Sequence, residues 1–277
     1  MAEWTRETPW RQGQLLADGA WQSLGLSHSK DSEEMVVVVA THDCDLAQHP
    51  SVEPYVEVVM GRRIAKLDGN YTYAKNARTL HIQFDGNPPL FAEFSSLDKH
   101  SLEKNRFADL QPETNYQLSD SNRSVFQRWL AARYRRSAFP DEFERRLRAA
   151  KLDERIAKAV KPHGTKIIAV LFDVDEGREE VKVEPDDVYE LGITLLYSIE
   201  PDSEESEKAA GTARAAIQSA FEKLRDPKSG QWKDIELRYL EVVSEEALSY
   251  RQFVLIKPWR LDYISLGADP QQPIVPE

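Results

Sequence analysis

The densest group of potentially reactive side chains follows one apolar run near the N-terminus. The segment 41–45 has the sequence Thr-His-Asp-Cys-Asp and comes directly after the apolar run 35–40. These residue types supply the hydroxyl, imidazole, thiol and carboxylate groups on which hydrolytic enzymes rely. Because residues at strand ends lie at the rim of a sheet, where ligands usually bind, we interpret this segment as the candidate active site. The candidate catalytic residues are Thr41, His42, Asp43 and Asp45.

Three chemistries are open for this segment. Asp43 and Asp45 offer hard oxygen ligands for Mg²⁺, and a distant acid would complete a site for metal-assisted hydrolysis. His42 could instead activate the Cys44 thiol, which would then attack as a nucleophile. General acid–base cleavage without a metal would use His42 or His81 as the proton carrier.

A purely structural interpretation is also open. An Asx-rich turn could cap the preceding strand, with Cys44 as a small buried residue. The local backbone decides which side chains meet. If the strand continues, His42 and Cys44 share one face and Asp43 and Asp45 the other; if the chain turns, all four could converge.

One segment of the chain is strongly basic. Residues 121–166 contain thirteen Lys and Arg against five Asp and Glu, on a chain whose net charge is −11. Arginine forks match phosphate oxygens and stack on bases, so this segment is a candidate nucleic-acid-binding surface. Alternatively, its arginines pair with the acidic remainder of the chain. The candidate nucleic-acid-binding residues are Arg128, Arg133, Arg135 and Arg136. Three further arginines of the segment are Arg145, Arg146 and Arg148.

Hydrophobic patterning predicts a β-rich first domain over residues 1–115. The β-branched run 35–41 predicts a buried strand, and 55–59 predicts a second. Residues 78–84 alternate apolar and polar side chains, which is typical of a half-buried antiparallel strand, and 90–94 predict its hairpin partner. About five short strands without a long helix indicate a small, strongly bent sheet or barrel.

The remainder of the chain predicts two further domains, for an overall α+β fold. Residues 116–164 show helical periodicity and predict a basic helical hairpin, with one helix from Pro140 to about Val160. Residues 165–277 predict an α+β sheet domain in the order β-β-α-β, with helices on one face. Its helix is predicted to begin at the capping-box pattern 202–205.

Several protein classes are disfavoured by the sequence. No apolar run approaches the ~18–20 residues that span a bilayer, and residues 1–7 lack an apolar signal region. A single cysteine cannot form an intrachain disulfide. We therefore expect a cytoplasmic protein without a membrane partner. Glycine-rich phosphate-binding loops are absent from the sequence, which disfavours the common nucleotide-dependent enzymes.

Three N-terminal stretches carry a resemblance to a known family. Residues 12–16, 36–41 and 55–59 resemble the opening of the small SH3-like barrel of PemK/MazF-type ribonuclease toxins. The resemblance covers residues 10–65 and implies a barrel. It also implies that Thr41, which matches the strand-end hydroxyl of the family, assists RNA cleavage.

The chain departs from the family pattern at the entry to the hydrophobic strand. The family has Arg-Pro there, whereas this chain has Glu34 and Met35. That arginine stabilises the phosphate in the family. Either Arg62 or Arg63 replaces it here, or the activity is not shared.

These observations lead to two functional hypotheses. The first is a bacterial toxin-like or phage-defence protein that acts on RNA or DNA, a nuclease that uses the 41–45 turn with the arginine-rich segment guiding the phosphate backbone. The second is a non-catalytic adaptor or sensor module that binds a partner protein. Mg²⁺ is the only cofactor that the sequence indicates.

Overall fold

The protein divides into two compact units, each with its own sheet. The computed structural model describes residues 4–27, 34–132, 134, 139–177, 187–247 and 256–259. Unit 1 comprises Met1–Leu67 and Asn76–Tyr134, and unit 2 comprises Asp68–Lys75 and Arg135–Glu277. Two sheets and six helices among the described residues confirm the predicted α+β class.

Unit 1 contains one antiparallel sheet in the strand order β1-β2-β4-β3. Its described elements are α1 (Ala20–Ser23), β1 (Met35–Val39), α2 (Asp43–Leu46), β2 (Tyr55–Arg63), β3 (Thr79–Phe84), β4 (Leu90–Glu103) and α3 (Asp120–Ala132). All five residues of β1 are buried, as the β-branched run predicts. β4 continues well beyond the predicted strand 90–94.

The register between β1 and β2 brings two distant stretches of sequence together. Val39 lies opposite Val58, so the beginning of β2 lies beside the end of β1. The amide of Ala40 donates to the carbonyl oxygen of Glu57 at 2.8 Å. The amide of Glu57 donates in turn to the Thr41 hydroxyl oxygen at 2.6 Å. The predicted reactive segment therefore begins next to Glu57.

Both faces of this sheet are covered by aromatic side chains. Trp10 and Phe107 meet edge to face with ring centroids 5.4 Å apart. Phe126 of α3 lies 6.3 Å from Phe94 and 6.1 Å from Trp129. Helix α3 is thus part of the core of unit 1.

Single bridges extend the pairing of unit 1 beyond its named strands. Leu15 pairs with Val38, Leu16 with Pro112, and Asp85 with Gln117. The strands of the described residues do not close into a barrel.

Unit 2 contains a mixed sheet in the order β7-β6-β5-β8, with helices packed on one face. Its described elements are α4 (Asp141–Ala149), α5 (Leu152–Val160), β5 (Ile167–Val174), β6 (Tyr189–Tyr197), α6 (Ser203–Glu222), β7 (Ile235–Ser244) and β8 (Lys257–Pro258). Strands β6 and β7 are parallel and joined by α6, so the predicted β-β-α-β order is confirmed. The Asp202 carboxylate caps α6 by accepting from the Glu205 amide at 3.0 Å.

The segment 116–164 is shared between the two units. Helix α3 lies in unit 1, whereas α4 and α5 pack in the core of unit 2. The predicted single helix from Pro140 to Val160 is wrong, because it breaks at Lys151 (φ 53°). Leu147 and Leu152 are five positions apart, and a continuous helix would turn one of them away from the sheet.

Residues Asp68–Lys75 connect β2 to β3 but pack within unit 2. The Thr72 hydroxyl donates to the carbonyl oxygen of Gly164 at 2.7 Å. The buried Lys75 ammonium donates to the carbonyl oxygens of Gly164 and Ile167. No helix in the described part of the chain is long and apolar enough to cross a membrane.

Candidate functional site

The chain turns into a single helical turn, α2, directly after β1. His42 is the N-cap residue, and its Nδ1 accepts from the Cys44 amide at 3.3 Å. The helical period places His42 and Asp45 towards one cleft and Asp43 and Cys44 towards another. Neither expected arrangement occurs: the side chains do not alternate as in a strand, and the four do not converge.

A buried lysine donates hydrogen bonds to the backbone of this turn. Lys104 is 0% exposed, and its Nζ donates to the carbonyl oxygens of Asp45 at 2.6 Å and Gln48 at 2.9 Å. Burial lowers the pKa of Lys104 below its ordinary value. The Trp4 indole also donates to the carbonyl oxygen of Leu46 at 2.9 Å. The turn is therefore a fixed backbone that carries exposed side chains.

Gln12 links the turn to α3 from the side. Its amide N–H donates to the Asp43 carboxylate at 2.7 Å, and its side-chain amide donates to the Ala40 carbonyl oxygen at 2.7 Å. The Gln12 side-chain oxygen accepts from Gln127 of α3 at 2.8 Å. Asp43 thus acts as a backbone cap, as in the structural interpretation. The part of that interpretation that places Cys44 in the interior is wrong, because Cys44 is exposed.

An open cleft of about 690 Å³ lies on the His42 side of the turn, and we call it the turn cleft. Its lining residues are Gln12, Ala40, Thr41, His42, Asp45, Glu53, Tyr55, Glu57, Lys99, Ser101, Gln127, Leu130, Ala131 and Tyr134. Three of these carry carboxylates and one an ammonium group. Lys99 Nζ lies 2.8 Å from Glu57 Oε2, so that positive charge is already paired. The described lining is acidic.

A second cleft of about 440 Å³ lies on the Asp43 side and is lined by Arg6, Arg11, Asp43, Cys44, Ala47 and Gln48. The two predicted metal ligands, Asp43 and Asp45, therefore line different clefts. Among the described residues, no group of three or more His, Cys, Asp or Glu side chains is placed to hold a metal ion.

The Thr41 hydroxyl is engaged in the sheet. Its oxygen accepts from the Glu57 amide at 2.6 Å, and the residue is buried. Thr41 is also one of the residues that line the turn cleft. It anchors the beginning of β2 beside the turn.

His81, the other candidate proton carrier, lies outside both clefts in a charged row across β2, β4 and β3. Its Nε2 is 2.8 Å from Glu93 Oε2, and Arg62 Nε donates to Glu93 Oε1 at 2.8 Å. The hydrogen bond from His81, followed by that from Arg62, lowers the pKa of Glu93 to about 2. Arg63 pairs with Asp18 at 3.0 Å. Both candidate replacements for the family arginine thus contact carboxylates.

The candidate nucleic-acid-binding arginines are only partly covered by the structure. Arg128 is exposed on α3. The other three, Arg133, Arg135 and Arg136, lie outside the described residues.

The arginines of α4 pair with carboxylates of their own helix. Arg145 contacts Glu142 at 2.6 Å, Arg146 contacts Glu142 at 2.7 Å, and Arg148 contacts Glu144. Arg146 is also buried, with its guanidinium 5.3 Å from the centre of the Tyr189 ring. The carboxylates that pair with these arginines thus belong to the basic segment itself, whereas the intramolecular alternative places them in the acidic remainder of the chain.

The sequence did not indicate most of the residues that line the turn cleft. Tyr55 and Glu57 could have been found by pairing the two predicted strands 35–41 and 55–59 as antiparallel neighbours. Lys99 and Gln127 come from an unpredicted extension of β4 and from α3, and no local pattern marks them. Comparison with protein-family models, curated proteins and solved structures finds no match for this chain.

Replacement of Lys104 by Met is expected to lower the free energy of unfolding by about 2 kcal/mol. The methionine fills similar volume, but the carbonyl oxygens of Asp45 and Gln48 lose the donor that Lys104 provides. Urea denaturation followed by tryptophan fluorescence measures the change. Lys99→Met is the matched control, since Lys99 is a partly exposed ion-pair residue whose loss should cost less than about 1 kcal/mol. Equal effects of the two substitutions would contradict the anchoring role of Lys104.

Proposed function

We propose that unit 1 is an interaction module that binds a partner protein through the turn cleft. The observation that carries this proposal is the combination of an open cleft with exposed aromatic side chains at its lining. Tyr55 is 47% exposed and Tyr134 is 79% exposed. Aromatic side chains are enriched in the buried centre of protein interfaces, where they contribute much of the binding energy.

Two further exposed apolar side chains are close in sequence to residues that line the cleft. The large hydrophobic residues that are exposed in the described part of the chain are Val52, Tyr55, Leu97 and Tyr134, and all four belong to unit 1. Val52 precedes Glu53 of the cleft, and Leu97 lies two positions before Lys99. An exposed apolar surface with a polar rim is typical of an interaction site.

The partner is tested by affinity purification from a lysate of the source organism with quantitative mass spectrometry. The tagged chain is compared with the double variant Tyr55→Ser and Tyr134→Ser. We expect a protein retained by the unchanged chain to be depleted at least about tenfold by the double variant. Tyr116→Ser is the matched control, because Tyr116 does not line the cleft. Retention of the same proteins by all three chains would overturn the proposal.

Nucleic-acid cleavage is a second proposed function. Three side chains of the same cleft support it, although the carboxylates of the lining oppose the approach of a phosphate backbone. His42, Glu57 and Lys99 line one cavity. An imidazole and a carboxylate can exchange protons with a substrate, and an ammonium group can stabilise charge on a phosphoryl oxygen. A toxin-like or phage-defence protein would use this chemistry on RNA or DNA.

This second proposal is tested with labelled single- and double-stranded RNA and DNA, each with and without Mg²⁺ or Mn²⁺. If it is right, His42→Ala should reduce cleavage at least about a hundredfold, whereas Cys44→Ala, on the other side of the turn, should leave the rate unchanged. The absence of cleavage in every condition, or cleavage that is unaffected by His42→Ala, would end this proposal.

The barrel implied by the family resemblance is proposed for unit 1 as well. The single bridges at Leu15, Leu16 and Asp85 support it, because they lie at the outer strands β1 and β3 and extend their pairing to residues 112 and 117. A crystal structure of the chain would test this proposal. A continuous ring of hydrogen-bonded strands in unit 1 would support the barrel, and an open edge at β1 or β3 would contradict it.

A further inference from the structure

The charge of the turn cleft limits the ligands that it can accept. Asp45, Glu53 and Glu57 carry carboxylates, and the only ammonium group in the described lining, that of Lys99, lies 2.8 Å from Glu57. A phosphate backbone would be repelled by this lining, whereas a cationic side chain would be attracted to it.

The aromatic side chains of the cleft favour one class of cationic side chain over another. Tyr55 comes from β2 and Tyr134 follows α3, so the two rings approach the cleft from different elements. A guanidinium group is planar, stacks on tyrosine rings and forms paired hydrogen bonds with carboxylates. An ammonium group is more strongly hydrated and lacks the planar fork. The combination of carboxylates with exposed tyrosines therefore favours arginine over lysine.

The same chemistry already operates within unit 2. The Arg146 guanidinium donates to Glu142 at 2.7 Å and lies 5.3 Å from the centre of the Tyr189 ring. A carboxylate and a tyrosine face, together with the carbonyl oxygen of Asp187, thus contact a buried arginine in this protein. The turn cleft offers the same two groups, and its described lining residues include no arginine.

The backbone beneath the cleft is fixed before any ligand binds. Lys104 holds the carbonyl oxygens of Asp45 and Gln48, and Gln12 ties the turn to Gln127. A preorganised site loses less conformational entropy when it binds. The buried lysine therefore holds in advance the backbone that carries Asp45.

We infer that the turn cleft binds an arginine side chain presented by a basic segment of the partner protein. The guanidinium lies against the Tyr55 and Tyr134 rings, and its N–H groups donate to the carboxylates of Asp45 and Glu53. This inference rests on the proposed partner-binding function and specifies the chemistry of the partner.

The test is fluorescence anisotropy of three labelled peptides that bind to the full chain. The first peptide is Gly-Arg-Gly-Arg-Gly, and in the other two both arginines are replaced by lysine or by citrulline. We expect the arginine peptide to bind about tenfold more tightly than the lysine peptide, and the uncharged citrulline peptide to bind more weakly than either. Glu53→Gln and Tyr134→Ala should each weaken the arginine peptide about five- to tenfold. Glu207→Gln, an exposed carboxylate of α6 outside the cleft, is the matched control and should leave the affinity unchanged.

Several results would overturn the inference. They are equal affinity for the arginine and lysine peptides, no effect of Tyr134→Ala, no binding of the arginine peptide, or displacement of the peptide by single-stranded RNA that binds more tightly to the same residues. If the arginine peptide fails while a partner is still lost from the Tyr55 and Tyr134 double variant, the inference fails and the proposed function stands. If both experiments fail, the proposed function fails as well.

Discussion

Replacement of Gly164 by Ala is expected to lower the free energy of unfolding of unit 2 by about 3 kcal/mol or more. A β-carbon at Gly164 would lie 2.1 Å from the Cα and 2.2 Å from the carbonyl oxygen of Gly69. Both atoms belong to the backbone, so no side-chain rotation relieves the overlap. The segment Asp68–Lys75 would have to move away, and its hydrogen bonds from Thr72 and Lys75 to this region would be strained or lost.

Hydrogen exchange of the β5 and β6 amides measures this effect, because it reports the opening of unit 2 by itself. Gly211→Ala is the matched control within the same unit. A β-carbon at Gly211 meets no atom within 4 Å beyond the local backbone of its own helix, and alanine is favoured over glycine in the middle of α6 by up to about 1 kcal/mol. Protection that is unchanged by Gly164→Ala would show that the two backbones are not packed against each other.

The stability of unit 2 is expected to rise with pH because of Lys75. Burial lowers the pKa of Lys75 from its ordinary value of 10.5 to about 7, with Asp68 opposing the shift. Between these two pH values the unfolded chain binds more protons than the folded chain, so the free energy of unfolding increases as the pH rises. The slope has an upper limit of about 1.4 kcal/mol per pH unit.

Urea denaturation at pH 7, 8 and 9, compared between the unchanged chain and Lys75→Met, isolates this contribution. Other titrating groups are common to both chains and cancel in the difference. From pH 7 to pH 9, the unfolding free energy of the unchanged chain should rise by about 2 kcal/mol relative to that of Lys75→Met. A difference that is independent of pH would mean that Lys75 stays protonated in the folded protein, held by the carbonyl oxygens of Gly164 and Ile167.

Most elements of the fold follow from local patterns. The β-branched run of β1, the alternation in β3 and the capping box at Asp202 each predict an observed element close to its observed bounds. The helical region 140–160 shows the limit of this approach. Its residues favour a helix throughout, yet the chain breaks at Lys151, and the break is compatible with the burial of both Leu147 and Leu152 in the core of unit 2.

The domain boundaries depend on long-range packing. The helical period and basic charge of residues 116–164 are continuous along the chain, yet α3 packs on Phe94 and α4 packs in the core of unit 2. The segment Asp68–Lys75 is another case, since nothing in its composition separates it from the β-rich stretch around it. Whether the apolar face of a helix packs in the core of unit 1 or of unit 2 depends on complementary shape and on residues that are distant in sequence.

The sequence by itself determined that an apolar strand ends at Thr41–Asp45 and places this segment at the edge of a sheet. The run of β-branched residues and the position at which the run stops are both local properties of the sequence. Only the tertiary structure decided what those side chains face. The helical turn α2 separates Asp43 from Asp45, Lys104 fixes the turn from below, and β2, β4 and α3 add Glu57, Lys99 and Tyr134 to the cleft. These residues are 12 to 89 positions away from Asp45. Their approach depends on strand register and helix packing, which are set by the whole core rather than by any one stretch of sequence.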